Sequence, residues 1–209
     1  NGVLDTAALS GDAPYQILKV YDQSGNQGPA TPFGGLLSRA PWLNVADKSI
    51  RFLDTGDPTE TGFQLPTMVA LTQAETFMKR KLVESPTVGG AGGWWKLSTA
   101  TDSSHTPYTT GGFFDQFGSA ERRGSFSQSG TLTAWHVMSA YSVTNDWAFR
   151  INNNAPETDA TNVVAFPAVP IWGGGLADFS TCAKGYSTAL VICSQKCSEV
   201  DRYSVIFGL

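Results

Sequence analysis

Two histidines, three cysteines and one run of amides and carboxylates are the side chains from which chemistry would have to be built. His136 lies inside an apolar stretch, Ala134-Trp-His-Val-Met138, where a packed, hydrogen-bonded imidazole is the ordinary outcome. His105, in Asp102-Ser-Ser-His-Thr-Pro107, reads as a loop residue. No Gly-x-Ser-x-Gly elbow offers either imidazole a nucleophile to activate. Cys193 and Cys197 are four apart, with Cys182 eleven residues upstream of Cys193. A structural zinc site needs a fourth ligand, and both histidines are distant in sequence. The expectation is no metal, and either free thiols or one bridge across a turn. Asn152-Asn-Asn154 with Glu157 and Asp159 could offer oxygens to calcium, but the spacing matches no EF-hand and suits a polar turn.

Phe52-Leu-Asp-Thr-Gly56 carries a different possibility. A strand feeding Asp54-Thr55-Gly56 resembles the active-site loop of aspartic proteases, where two such loops share one proton between two carboxylates. Retroviral-type enzymes take the second loop from a second chain. This chain has no second Asp-Thr-Gly, and Asp57-Pro58 follows where the family has a small residue. Ordinary turn chemistry accounts for the same residues, since Asp caps a turn and Gly supplies positive φ. No loop with Gly-Lys-Ser/Thr occurs, and the Gly89–Gly93 run lacks the helix that makes such loops hold phosphate. No catalytic residue and no cofactor is expected, and the chain is read as a non-enzyme.

What remains is surface recognition. Trp42, Trp94, Trp95, Tyr108, Phe113, Phe114 and Trp172 all adjoin Gly- or Pro-rich loops. Rings supply contact area at low entropic cost, and most of them could equally cap a core. The loop Thr99–Gly112 sets His105 and Tyr108 among hydroxyls between Trp94-Trp95 and Phe113-Phe114. The candidate receptor-binding residues are therefore Trp94, Trp95, Thr101, His105 and Tyr108, with a glycan as the ligand that suits hydroxyls and rings together.

The elements that must position these residues alternate with period two. Tyr15–Tyr21, Lys48–Leu53, Trp94–Thr99, Thr131–Val143 and Trp147–Ile151 read as strands bounded by turn clusters. In the last of these Trp147, Phe149 and Ile151 share one face. Val163–Trp172 carries Pro167 and Pro170 and suits an edge or covering segment. Tyr186–Cys193 and Tyr203–Phe207 read as a terminal hairpin. Thr72-Gln-Ala-Glu75 has capping-box spacing, and Ala74, Phe77, Met78 and Leu82 follow at helical intervals. A helix is expected over 73–84, although Phe77–Val83 could form a strand. The fold expected is all-β, a compact sandwich or barrel with long loops and that one short helix.

Composition bounds the rest. The 209 residues carry 15% charge and 11% aromatics, so this is a single β-rich domain over 1–209 and not a disordered chain. A formal net charge of −4 and few basic clusters disfavour nucleic acid. No apolar run is long enough to span a bilayer as a helix. The first residue is Asn1, which suggests a piece of a longer protein. No Asn-x-Ser/Thr sequon occurs despite 19 Ser and 21 Thr, which tilts toward assembly in the cytosol.

Length, low charge, Gly/Ser/Thr-rich composition and long loops give the whole chain its resemblance to the capsid spike (protruding) domain of astroviruses, particularly the avian ones. That resemblance implies a compact β-rich homodimer on the virion surface, host-cell attachment through a receptor or glycan, and recognition by neutralising antibodies. It carries over no binding residue. A trimeric phage or bacterial receptor-binding tip would share the composition. A jelly-roll capsid shell protein would add a basic arm that is missing here.

Overall fold

Alternation of inward and outward side chains builds the larger sheet. A computed structural model describes residues 15–17, 19–20, 28–32, 35, 40–52, 61–84, 93–99, 112–127, 131–173 and 184–208. Eight strands form one sheet in the order β1 (Tyr15–Gln16), β3 (Trp42–Asn44), β4 (Ser49–Phe52), β14 (Gly185–Cys193), β6 (Ala74–Leu82), β10 (His136–Val143), β11 (Asp146–Ile151), β12 (Glu157–Asp159). Each neighbouring pair is antiparallel. A second sheet orders β2 (Thr31–Pro32), β5 (Phe63–Gln64), β13 (Ile171–Trp172), β7 (Trp95–Lys96). A short ladder of β8 (Phe113–Asp115) and β9 (Arg123–Phe126) stands beside them.

The two sheets share one core. Trp147, Phe149 and Ile151 of β11 enter it together, as the alternation in the sequence requires. Met78 and Leu82 of β6 and Met138 and Ala140 of β10 join them. Phe52 of the large sheet meets Phe63 at 6.3 Å and Trp172 at 5.6 Å across the sandwich, ring separations at which edge-on and tilted packing is favourable. Gly173 has φ +97°, and a Cβ there would strike the Phe52 ring at 2.3 Å. Glycine is required at that corner.

Two elements differ from the sequence reading. Residues 74–82 are not a helix but the strand β6, bonded on one side to β10 and on the other to β14. Ala74, Met78 and Leu82, with Thr76 and Arg80 between them, alternate toward the interior, and pairing on both sides overrides good helix formers. The expected terminal hairpin is also corrected. Its first half is β14, but Tyr203–Phe207 lies inside a helix, α1 (Glu199–Gly208). Ser198 caps it: its hydroxyl accepts the Asp201 amide at 3.2 Å and donates to the Asp201 carboxylate at 2.6 Å. The helix N-cap stands at Ser198, while Thr72-x-x-Glu75, expected to open a helix, leads into a strand.

Candidate functional site

Of the five residues singled out for binding, the structure places two. Trp94 and Trp95 are fully buried, at 0% exposure. Both belong to the core, so neither ring faces a partner, and this corrects the surface role expected of them. Thr101, His105 and Tyr108 lie outside the described residues, as do Asp54, Thr55, Gly56 and Cys182. Of the described residues flanking the first three, the Thr99 amide meets the Ala165 carbonyl at 3.3 Å and Gly112 is buried.

The buried tryptophans frame a polar constellation that the sequence did not announce. Trp95 Nε1 donates to Asp115 Oδ2 at 2.9 Å, and the Phe117 amide donates to Oδ1 at 2.8 Å. Arg80 packs its guanidinium over the Trp94 ring at 4.9 Å. Arg80 Nε donates to His136 Nε2 at 3.0 Å. Because a guanidinium can only donate, His136 Nε2 carries no proton, and Nδ1 holds the hydrogen given to the Ala134 carbonyl at 3.0 Å. Burial pushes the Asp115 carboxyl up to about 7, opposed by the Phe117 amide, the Trp95 indole and the Arg80 charge. Burial and then Arg80 lower His136 to about 3. Burial lowers Arg80 to about 9, with Asp115 pulling the other way.

Perturbed groups of this kind mark active sites when they line a cleft. Here Arg80 and Asp115 are at 0% exposure and His136 at 4%. A substrate has no path to them in this conformation, and their chemistry is that of a hydrogen-bonded core. Arg80 could have been found by reading residues 74–82 with period two, which puts a guanidinium at an inward position. Asp115 had no such signal, because its partners come from elsewhere in the chain.

The outward face of the large sheet carries two further groups. At one end Glu75 accepts from Arg202 Nε at 2.7 Å and from the Cys197 amide at 2.8 Å. Hydrogen bonding to Glu75 raises Arg202 further. Beside it Lys196 sits over the Tyr141 ring at 4.0 Å and pairs with Asp146 at 2.6 Å. Cys193 and Cys197 are free thiols near this point. At the other end Lys81 lies 4.7 Å from the rings of both Trp135 and Tyr186 and 3.0 Å from Asp47. Among the described residues no cluster of His, Cys, Asp and Glu is arranged to hold a metal. The proposed calcium oxygens act as turn groups: Asn152 Oδ1 accepts the Val137 amide, and Asp159 binds Thr161 and Arg123.

No family model matches the chain, and no curated protein does. Its fold is nevertheless shared. The binding domain of botulinum neurotoxin DC, solved with rat synaptotagmin II, superposes with a TM-score of 0.63 at 10% identity, over 92% of this chain and 51% of that one. A botulinum neurotoxin type C structure, described by its interaction with two ganglioside molecules, gives 0.62 at 10% over 92% and 51%. A GH54 α-L-arabinofuranosidase gives 0.62 at 13% over 93% and 50%. Trypanosoma rangeli sialidase gives 0.56 at 9%, over 76% of this chain and 27% of the enzyme. The chain is therefore a β-sandwich of the kind built into these proteins. It spans about half the length of the neurotoxin domains.

Proposed function

We propose that the chain is an attachment module, a β-sandwich that holds recognition loops against a host-surface receptor or glycan. The observation that carries this reading is the agreement of 92% of the chain with half of the botulinum neurotoxin DC binding domain and half of the type C neurotoxin structure. The first was solved in complex with rat synaptotagmin II, and the second is described by its interaction with two ganglioside molecules. The sealing of Asp115, Arg80 and His136 supports it from the chemical side, since these perturbed groups are structural. The finer reading is a capsid spike: a homodimer on the virion surface, engaging its receptor through Thr101, His105 and Tyr108 and presenting epitopes to neutralising antibodies. Weak single-site affinity would be multiplied by many copies on a particle.

The test is adhesion. The purified chain, coupled in many copies to fluorescent beads, is expected to bind host cells and to be displaced by free chain. Tyr108→Ala should reduce binding without lowering the melting temperature. Beads that adhere no better than albumin-coated ones across a broad cell panel would reject attachment, and full adhesion by folded Tyr108→Ala would reject that loop. Light scattering tests the dimer, and a strict monomer at high concentration removes it.

A second reading follows from the sialidase and arabinofuranosidase neighbours. Glycoside hydrolysis generally needs two carboxyl groups flanking the scissile bond, and Asp115 is sealed from any substrate. Release of fluorophore from aryl sialosides or arabinosides would favour this reading over attachment.

A further inference from the structure

We infer that the outward face of the large sheet carries a binding row for an anionic oligosaccharide. Strand register sets the row. Trp42 of β3 pairs with Arg51 of β4, Arg51 pairs with Tyr186 of β14, and Tyr186 pairs with Lys81 of β6. His136 of β10 pairs with Arg80, so Trp135, one residue before it, comes opposite Lys81. The Lys81 ammonium lies 4.7 Å from both the Trp135 and the Tyr186 ring centroids, which puts all three on one face. Five adjacent chain segments thus present ring, cation, ring, cation, ring. At the usual strand spacing of about 4.8 Å this row is roughly 19 Å long.

These side chains lie outside the core. Arg51 is exposed, Trp42, Tyr186 and Trp135 are half-buried, and Lys81 keeps 25% of its side chain in solvent. Their inward neighbours Phe52, Leu82 and Gly185 are buried, with the Trp94 ring packed where a Gly185 Cβ would stand. Groups mounted on central strands hold their spacing more closely than groups on loops.

Charge and geometry select the ligand. The chain is acidic, at −4, yet among the described residues the row brings two cations against one carboxylate, Asp47, which is engaged with Lys81. Arg51 makes no salt bridge among the described residues. A guanidinium at this position can grip a planar carboxylate or a sulfate with two parallel hydrogen bonds. Rings on alternate segments suit the apolar faces of successive sugars. An extended peptide would instead add along a sheet edge, whereas this row runs across five segments. The inference rests on the attachment reading and gives it a ligand class.

Titration calorimetry tests it with 3′-sialyllactose, tetragalacturonic acid, and uncharged lactose and cellotetraose. One acidic sugar should bind saturably, about tenfold tighter than its neutral counterpart, which corresponds to about 1.4 kcal/mol, and weaken with added salt. Which acid binds separates a sialylated from a uronic source. Arg51→Gln, at an exposed position, should keep the melting temperature and lose the acid preference. Trp135→Ala and Tyr186→Ala should lose binding of every sugar. Absence of binding by both acids, equal affinity for neutral sugars, unchanged binding by folded Arg51→Gln, or equal competition by an acidic peptide would each overturn the proposal. Cell adhesion with no acidic-sugar binding would remove the row and leave attachment standing. Saturable sugar binding without adhesion to any cell would do the reverse.

Discussion

Arg202 Nε donates to Glu75 Oε1 at 2.7 Å across 127 residues of chain, joining the C-terminal helix α1 to the central strand β6. Arg202 Nη2 donates to Glu75 Oε2 at 3.2 Å and to the Cys197 carbonyl at 3.3 Å, and Nη1 donates to Glu199. Both side chains of the pair are nearly dehydrated, at 3% and 1% exposure. Removing one partner strands a charge and is expected to cost about 3–5 kcal/mol. Urea melts should therefore show Arg202→Met or Glu75→Gln strongly destabilised. The double variant should be more stable than the sum of the two losses implies. Two single losses within ordinary surface scatter would show that α1 docks by other contacts.

Those same residues show what the sequence could reveal. The strand at Trp147–Ile151 was legible because Trp147, Phe149 and Ile151 all enter one core and nothing competes with that alternation. Glu75 was misread because three residues after a threonine it satisfies a helix cap on paper. Its actual partner, Arg202, lies at the far end of the chain. The capping signal of Ser198-x-x-Asp201 was present, yet Tyr203–Phe207 also alternates, and short apolar runs fit either period. Trp94 and Trp95 adjoin a glycine run, which suggested exposure, but closure of the second sheet over the first buries both. The aromatic row at Trp135 and Tyr186 depends on register among five segments, and register is a property of the whole sheet.

The sealed constellation makes an opposed pair of pH responses. His136 titrates near 3 in the fold, below its ordinary value of 6.5. Its contribution is therefore complete above pH 6.5 and is lost as pH falls toward 3. Asp115 titrates near 7, above its ordinary 3.8. Folding favours its protonated form, so its contribution is complete below 3.8 and is lost as pH rises through 7. Between pH 6.5 and 3.8 the two act in opposite directions. Compared with the parent, Asp115→Asn should lose melting temperature more steeply on acidification, and His136→Gln less steeply. Parallel melting curves for all three proteins across that window would refute the assignment.

Cys197 should be a slow nucleophile. Burial, together with the neighbouring Cys193 thiol, pushes its thiol up to about 12, and the thiolate is the reactive form. Alkylation of the folded protein by iodoacetamide, resolved by peptide mass, should label Cys197 slowly at pH 8. Its rate should rise by about tenfold per pH unit above that, and denaturant should abolish the protection. Fast labelling of native Cys197 at neutral pH would contradict the packing described around Glu75 and Arg202.

Trp95→Phe separates a core role from a binding role. The substitution keeps a ring beside Phe117, 6.3 Å away in the parent, but removes the indole hydrogen that Asp115 Oδ2 accepts at 2.9 Å. A buried acceptor left without its donor costs about 1–3 kcal/mol, so the melting temperature should fall. The loss should grow as pH rises above 7, because the ionised carboxylate depends on that donor more than the protonated form does. Bead adhesion, normalised to folded protein, should be unchanged, since the ring has no exposed surface. Reduced adhesion with an unaltered melting temperature would return Trp95 to the recognition surface and refute the core position assigned to it.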